Sequence, residues 1–344
     1  MTPIYSQLLI PFLIAMAVAI TMGGSGTAPA FSASYGANVI RKSIIPGLFG
    51  IMVFVGAFIA GKKTAGTMGS GILPSEFMDF TVVSIALFSI AVTMLISNIS
   101  GIPQSTSQAA VLALAAPALY FGRLDTHNLF VEIIPAWFIL PIISYFLSFF
   151  AGKYIYQPMR RRGLTIQRAQ NENKRHIWDI VLVIMALYVS FAIGSNNVAN
   201  AAGPLYTMTI NELHIRESDH IVILMLATLV VAPCFGIGAS LFGHKILKNT
   251  GKEIILFGKF EAVIIAFISG SLLLLASVVK GIPTSLVQVN VAAILGIGVA
   301  KMGHKNIFRK TQVKRFFTMW MIAPVISFLL SLLLIFLADK ANLL

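Results

Sequence analysis

Two short polar stretches interrupt apolar runs at matching places in the two halves of the chain: Gly-Ile-Pro-Gln-Ser-Thr-Ser-Gln (Gly101 to Gln108) and Gly-Ile-Pro-Thr-Ser-Leu-Val-Gln (Gly281 to Gln288). Hydrocarbon offers no partner for bare backbone N–H and C=O groups, so such stretches do not face lipid. Irregular backbone at membrane depth lines a cavity, and its occurrence in both halves is typical of a transport site between two repeats. The pair therefore indicates a transporter with broken helices or re-entrant half-helices.

The rest of the sequence has the composition of a membrane protein. Hydrophobic residues make up 57% of the 344 positions and charged residues 11%, and the mean hydropathy is +0.88. Soluble domains are about a quarter charged. Apolar runs of roughly 18 residues or more, enough to cross a bilayer, lie near 5–22, 43–60, 79–98, 130–157, 177–194, 219–243, 254–279 and 316–338. Together with the segments 101–121 and 281–300, these runs predict an all-α polytopic membrane protein with about ten crossings.

The net charge of +13 would suit a nucleic-acid partner, but the basic residues are distributed as in a membrane protein. If the basic loop 158–176 faces the cytoplasm, most of the 25 Lys and Arg residues fall on the cytoplasmic side. This asymmetry is the positive-inside rule, which orients membrane proteins. We therefore expect 158–176 to be a cytoplasmic linker without structure of its own. The expected surroundings are membrane lipids, and no nucleic-acid partner is expected.

Both halves contain the same features in the same order. Each begins with an apolar helix and a Gly- and Ser-rich segment, and each later has a proline stretch, with Pro103 and Pro283 in matching positions. An odd number of crossings in the first half makes the second half start on the opposite side of the membrane. The chain therefore divides into two inverted repeats, at 1–157 and 177–344, each with about five transmembrane segments.

The Gly- and Ser-rich segments, at 23–32 and 194–203, form the second matching pair. Glycine permits tight turns and close backbone approach, so both segments are predicted to break their helices. Small residues also mediate close packing between membrane helices, which is the alternative interpretation. The neutral polar side chains here are candidate substrate ligands: Ser25, Thr27, Asn196, Asn197 and Asn200.

The proline stretches are predicted to be helix starts. Proline is favoured at the first position of a helix, and the residues that follow it lie beside free backbone N–H groups and the positive end of the helix dipole. Such an end binds oxyanions readily, so two facing ends would make an anion site without a basic side chain. The candidate ligands are Ser105, Thr106, Ser107, Gln108, Thr284, Ser285 and Gln288.

These motifs resemble those of the PiT family of inorganic phosphate transporters. That family has Gly-Ala-Asn-Asp-Val-Ala-Asn in each half, which is similar to 194–200, and Pro-Val-Ser-Thr-Thr-His, which is similar to 103–108 and more weakly to 283–288. The resemblance covers the whole chain. It implies an inverted-repeat carrier with an oxyanion site, in which Ser105, Thr106, Ser107, Ser285 and Asn196 would contact the anion. It also implies a homodimer.

The departures from the family motifs favour sulfate. Gly26 and Asn197 replace the motif Asp, and Gln108 and Gln288 replace the motif His. A carboxylate accepts the proton of phosphate but repels fully deprotonated sulfate, and a buried group without its partner is costly. The missing Asp also removes the oxygen charge that a Na⁺ site would use, so no bound sodium is expected. The chain resembles the sulfate-permease branch of the family, found in the plasma membrane of bacteria.

Two acidic residues are candidates for coupling transport to protons. Asp79 and Glu261 precede the two prolines by similar distances, and Glu261 lies in an apolar run just after Lys259. An ionisable residue at membrane depth is a functional hypothesis by default, and proton symport through Glu261 would follow. The alternative is that Asp79 marks a membrane boundary and Glu261 pairs with a base such as Lys259.

Other functions remain as alternatives. A phosphate carrier of the same family and a passive anion channel are both compatible with the motifs, and thiosulfate is a further candidate substrate. A membrane enzyme would need clustered carboxylates or a His beside a nucleophile, and no such motif occurs. Because Cys234 is the only cysteine and the six histidines are scattered, we expect no metal site. We also expect no catalytic residues and no cofactor. The expected driving force is the proton gradient.

Overall fold

The computed structural model describes residues 3–101, 104–161, 172–244 and 258–344, and these residues are almost entirely helical. The helices are α1 (Pro3–Gly36), α2 (Ile45–Ala60), α3 (Lys62–Ser70), α4 (Phe80–Ser100), α5 (Thr106–Tyr120), α6 (Ile134–Phe150), α7 (Glu172–Asn197), α8 (Ala199–Leu213), α9 (His220–Leu241), α10 (Lys259–Leu275), α11 (Leu286–Met302) and α12 (Thr311–Lys340). Shorter helical segments are Lys42–Ile44, Ser75–Phe77, Asn128–Ile133, Ala151–Tyr156, Gln157–Arg161, Glu217–Asp219, Ala276–Lys280 and His304–Phe308.

Eight helical stretches in the described part of the chain are long and apolar enough to cross a membrane. They coincide with the eight apolar runs of the sequence, which confirms a polytopic membrane protein. Two shorter apolar helices, Thr106–Tyr120 and Leu286–Met302, begin at the two polar stretches. Both are shorter than the roughly 20 residues that a full crossing requires, as predicted for half-helices.

The helices of the two halves pack crosswise. Helix α1 packs against α4 and α9, and α7 packs in the same way against α10 and α2. The half-helices are also exchanged, because α5 lies against α12 of the second half and α11 lies against α6 of the first. The two polar helix starts are therefore each supported by the opposite half. The inverted orientation of the repeats stays a prediction.

The predicted breaks at 23–32 and 194–203 are wrong. Helix α1 runs through the first segment without interruption, and the second is interrupted only at Val198, whose φ of −60° and ψ of −35° are helical. The glycines serve close helix approach instead: a Cβ at Gly23 would collide with the carbonyl oxygen of Phe235 on α9, and one at Gly194 with that of Val53 on α2. The packing interpretation of these segments is therefore the one that the structure supports.

The linker prediction also needs correction at its ends. Gln157–Arg161 is helical, and α7 begins at Glu172, so both ends of 158–176 belong to helices. The helices extend beyond the apolar runs because the polar residues at these ends, such as Gln157, Arg160, Glu172 and Lys174, have high helix propensities. The middle of the predicted linker, 162–171, lies outside the described residues.

Candidate functional site

Each polar stretch begins with a glycine that ends the preceding helix. Gly101 and Gly281 have φ values of 70° and 67°, in the left-handed region that favours glycine. The N–H of Gly101 donates to the carbonyls of Ser97 and Asn98, and Gly281 closes the last turn after α10 in the same way. This arrangement stops the helix sharply, so the chain can restart in a new direction.

The two half-helices start at equivalent serines. Ser105 Oγ accepts from the N–H of Gln108 at 3.3 Å, and Ser285 Oγ accepts from the N–H of Gln288 at 3.2 Å. A serine at this position satisfies one of the N–H groups that a helix start leaves without a partner. The prediction that proline occupies the first helical position is therefore wrong for α11, because Pro283 lies two residues before the N-cap Ser285. Pro103 lies outside the described residues.

The two helix starts contact each other. Gln108 Nε2 donates to Gln288 Oε1 at 3.2 Å, and Gln288 Nε2 donates to Gln108 Oε1 at 2.9 Å. Ser107 Oγ lies 3.1 Å from the carbonyl oxygen of Thr284 and can donate to it. The N-termini of α5 and α11 therefore meet inside the protein, although they belong to opposite halves.

Asn196, near the end of α7, connects this contact to the preceding loop. Its Nδ2 donates to Ser277 Oγ at 2.8 Å and to the carbonyl of Ile282 at 2.9 Å. Its Oδ1 accepts from the N–H of Thr284 at 3.0 Å and lies 3.3 Å from Ser107 Oγ. Both amide protons and one lone pair of Oδ1 are used by protein groups, and the single hydroxyl proton of Ser107 can reach either the other lone pair or the carbonyl of Thr284. Asn196 therefore fixes the second polar stretch in place.

A second asparagine completes the cluster, because Asn200 Nδ2 lies 3.2 Å from Ser107 Oγ. We call the linked residues the junction network: Ser105, Ser107, Gln108, Asn196, Asn200, Thr284, Ser285 and Gln288. Each is at most 6% exposed. The network consists of neutral hydroxyl and amide side chains that donate and accept hydrogen bonds but carry no formal charge.

The electrostatics of the network come from the backbone. The first two N–H groups of α5 (Thr106 and Ser107) and of α11 (Leu286 and Val287) have no partner within their own helices. They add to two positive dipole ends. Two such ends inside one low-dielectric site favour an anion. Thr106, at 4% exposed, is thus placed as predicted, in the first turn of α5.

Four predicted ligands are not linked to the junction network by the hydrogen bonds of the structure: Thr106, described above, and Ser25, Thr27 and Asn197. Ser25 Oγ donates to Asn98 Oδ1 at 3.0 Å, and Thr27 Oγ1 donates to the carbonyl of Gly23 within its own helix at 2.7 Å. Asn197 is 4% exposed, and its Oδ1 has no partner among the described residues. Asn200 Oδ1 also has none among the described residues.

Glu261 lies in the first turn of α10. Its Oε2 accepts from the N–H of Gly258 at 2.6 Å, and its Oε1 accepts from Lys301 Nζ at 2.6 Å. Lys259, the partner suggested from the sequence, pairs with Asp179 instead, because residues two apart on a helix do not face each other. Glu261 is 1% exposed but lies about 30 Å along α10 from Gly281, at 1.5 Å per residue.

Asp79 occupies the matching place before α4. It is the N-cap residue, and its Oδ1 accepts from the N–H of Val82 at 2.8 Å. Burial raises the pKa of this carboxyl above its ordinary value, while the hydrogen bond from Val82 acts in the opposite direction. Asp79 is also about 30 Å from the polar stretch that follows its helix. Neither acidic residue therefore contacts the junction network directly.

The sequence-derived set of ligands omits Gln104, the residue immediately before Ser105. Its side chain is 0% exposed, and neither Nε2 nor Oε1 has a hydrogen-bond partner in the described part of the chain. The signal was present in the motif comparison, because Gln104 stands where the family motif has valine.

A resident metal is not supported by the side chains in the described ranges. Among them, no group of three or more His, Cys, Asp and Glu side chains is arranged to hold a metal ion.

Comparisons with known proteins show the family of the chain. The family model described as "Phosphate transporter family" matches residues 22–331. The sulfate permease CysP of Bacillus subtilis strain 168 is 31% identical over 331 residues, which cover 96% of this chain and 88% of the relative. A putative phosphate permease of Pyrococcus abyssi is 24% identical over 395 residues, covering 94% of this chain and 96% of the relative. These relatives are permeases and not enzymes.

The fold is shared with a solved structure as well. That of a sodium-dependent phosphate transporter superposes with a TM-score of 0.83 over 97% of this chain and 99% of the other, at 19% sequence identity. The sequence prediction of the fold class is therefore confirmed.

Proposed function

Because this chain belongs to the phosphate transporter family, we propose that it is a secondary transporter that imports an inorganic tetrahedral oxyanion, with sulfate as the substrate, across a bacterial plasma membrane. The observation that carries the proposal is the meeting of the two half-helix starts through Gln108 and Gln288. Two helix N-termini at one buried point favour an anion without any basic side chain. The exchanged packing of the half-helices also provides an interface between the two halves at which access could alternate.

Sulfate is favoured by the neutral character of the junction network. Sulfate is a dianion without a proton near neutral pH, so it requires donors only. Hydroxyls, amides and backbone N–H groups supply donors, and no carboxylate among the residues of the network competes with the anion. The 31% identity to a sulfate permease over nearly the whole chain supports the same choice.

Phosphate is the second candidate. The archaeal relatives are named as phosphate permeases, and the superposed structure is that of a phosphate transporter. The amide oxygens of Asn197 and Asn200, which lack partners among the described residues, could accept the proton of hydrogen phosphate. Direct competition between the two anions decides between these substrates.

The first test is uptake of labelled sulfate by proteoliposomes, challenged with phosphate and with thiosulfate. We expect saturable uptake with counterflow and weak inhibition by phosphate. Inhibition by phosphate alone would reverse the substrate assignment, and single-channel currents without saturation would favour a passive channel.

A pair of buried serines sharpens this test. Ser285→Ala removes a hydroxyl of the junction network, and we expect the KM for sulfate to rise about tenfold or more, since a hydrogen bond to a charged group contributes about 1.5–3 kcal/mol. Ser327→Ala is the matched control, because Ser327 donates to the carbonyl of Ala109 on α5 at 2.9 Å outside the network. Its KM should be unchanged. Equal effects of the two substitutions would argue against a site at the junction.

We further propose that uptake is coupled to protons and not to sodium. The support is that Glu261 is a carboxylate of a membrane helix buried to 1% exposure, with Lys301 as its ion-pair partner. Protonation of Glu261 would break this pair between α10 and α11, and so could couple a proton to a helix movement. Glu261→Gln should lose the stimulation of sulfate uptake by an inward pH gradient. Unchanged stimulation would remove Glu261 from the mechanism, and stimulation by sodium in the wild type would contradict proton coupling.

A further inference from the structure

Gln104 is the buried amide with the most unused hydrogen-bonding capacity in the described part of the chain. Its side chain is 0% exposed, and both Nε2 and Oε1 lack partners there. Gln108, Gln288 and Asn196 are buried amides as well, but their oxygen and nitrogen atoms are bonded to protein groups. Because an amide enclosed in protein without hydrogen bonds is costly, the exception at Gln104 calls for a ligand.

The position of Gln104 indicates what that ligand is. Gln104 directly precedes Ser105, the N-cap of α5, so it stands two residues before Thr106 and three before Ser107. The N–H groups of these two residues have no partner within α5. A buried primary amide at the start of a helix, together with two backbone donors and a positive dipole end, forms a set of donors suited to an oxyanion.

The equivalent residue of the other half is used differently. Thr284 donates its N–H to Asn196 Oδ1 and its hydroxyl to the carbonyl of Ile282, and its own carbonyl oxygen lies 3.1 Å from Ser107 Oγ. Both donors of Thr284 are thus used by protein groups, whereas the amide of Gln104 has no partner among the described residues. The two polar stretches therefore do not contribute equally to the site.

We propose that Gln104 is a ligand of the transported oxyanion, to which its Nε2–H donates at the start of α5. This inference rests on the proposed function, because it requires that the junction binds the transported anion. It adds a residue that the hydroxyl motif does not include, and it makes the first half-helix the main contributor of side-chain donors.

The test uses Gln104→Met, which keeps the length of the side chain but removes both polar atoms. In detergent-solubilised protein without anion, we expect the Tm to stay the same or rise, because an unpaired buried amide is lost. The Kd for sulfate, measured by calorimetric titration, should rise about 10- to 100-fold, as expected for the loss of a hydrogen bond to a charged group. A lower affinity for sulfate without a lower Tm is a combination that a purely structural role of Gln104 does not produce.

Ser148→Ala is the matched control. Ser148 lies on α6, is 0% exposed, and its hydroxyl also has no partner among the described residues. This substitution should leave the Kd for sulfate unchanged. A Kd for sulfate that is unchanged in Gln104→Met, whatever the Tm, overturns the inference.

The wild-type protein separates this inference from the proposed function. If it binds phosphate but not sulfate, the sulfate assignment fails. The role of Gln104 is then tested by comparing the Kd for inorganic phosphate of the wild type with that of Gln104→Met. If it binds neither anion, both proposals are overturned.

Discussion

The two halves place polar residues at matching positions in α1 and α7, but these residues have different partners. In the second half, Asn196 bonds to Ile282 and Thr284 and so fixes the polar stretch before α11. In the first half, the shorter Ser25 lies within α1, donates to Asn98 and ties α1 to α4 instead. The polar stretches differ as well, because both donors of Thr284 are used by protein groups, whereas the Gln104 amide has no partner among the described residues.

Similar motifs in the two repeats therefore do not have equal roles. A stretch whose backbone is held by several hydrogen bonds is rigid and supports the site. A stretch that keeps a buried, unpaired donor is suited to bind. We therefore expect substitutions that release the backbone of the second stretch, such as those of Asn196 and Gly281, to lower mainly stability, and substitution of Gln104 in the first to alter mainly anion binding.

The largest loss of stability should come from Asn196→Ala. It leaves the buried N–H of Thr284 without a partner, which costs about 1–3 kcal/mol, and it also removes the hydrogen bonds from Asn196 to Ser277 and to the carbonyl of Ile282. Ser25→Ala, the matching change in the first half, removes one side-chain hydrogen bond and should cost about 1 kcal/mol. Thermal unfolding of the purified variants measures both. Equal losses of stability in the two variants would show that Asn196 and Ser25 stabilise their halves to the same extent.

Gly281→Ala should come next and should cost more than Gly122→Ala. Gly281 and Gly122 have φ values of 67° and 66°, in the left-handed region where a residue with a Cβ costs about 1–2 kcal/mol. At Gly281 the new Cβ would also lie 2.8 Å from the carbonyl carbon and oxygen of Lys63, so α3 must move, whereas a Cβ at Gly122 meets no atom within 4 Å. The added cost should appear as a lower Tm for Gly281→Ala than for Gly122→Ala. The reverse order would contradict a tightly packed second stretch.

The smallest expected effect concerns the contact between the two stretches. Gln288→Leu leaves the Gln108 amide without its partner and should cost about 1–3 kcal/mol. The double variant with Gln108→Leu removes both amides and should cost less than the sum of the two single changes. Strict additivity in the double-mutant cycle would mean that the two amides do not interact.

The sequence was sufficient for the long helices and for the two helix starts, because both follow from local rules. Apolar runs of membrane length predict crossings, and Gly101 and Ser105 act as helix end and helix cap within a few residues of each other. The breaks around Gly23 and Gly194 were predicted wrongly, because the same small residues suit an unwound turn and a close helix contact. The neighbour that decides the matter, Phe235 or Val53, is distant in sequence.

The details of the candidate site depend on such distant neighbours even more. Whether Asn196 is saturated depends on residues 81 to 89 positions away along the chain. The missing partner of Gln104 is likewise visible only once the chain is folded. The sequence suggested Lys259 as the partner of Glu261, whereas the structure has Lys301. This pair could not be predicted either, since it exists only when α10 and α11 pack together.

The exchanged packing of α5 has a consequence for how the protein is made. Ser327 and Ser331 of α12 donate to the carbonyls of Ala109 and Ala113 on α5 at 2.9 and 2.7 Å, across 218 positions of the chain in each case. A ribosome adds about 5–20 residues per second, so α5 waits on the order of 10–40 s before α12 exists. During that time α5, which is too short to span the bilayer, must be shielded from lipid by the insertion machinery or by another segment of the nascent chain.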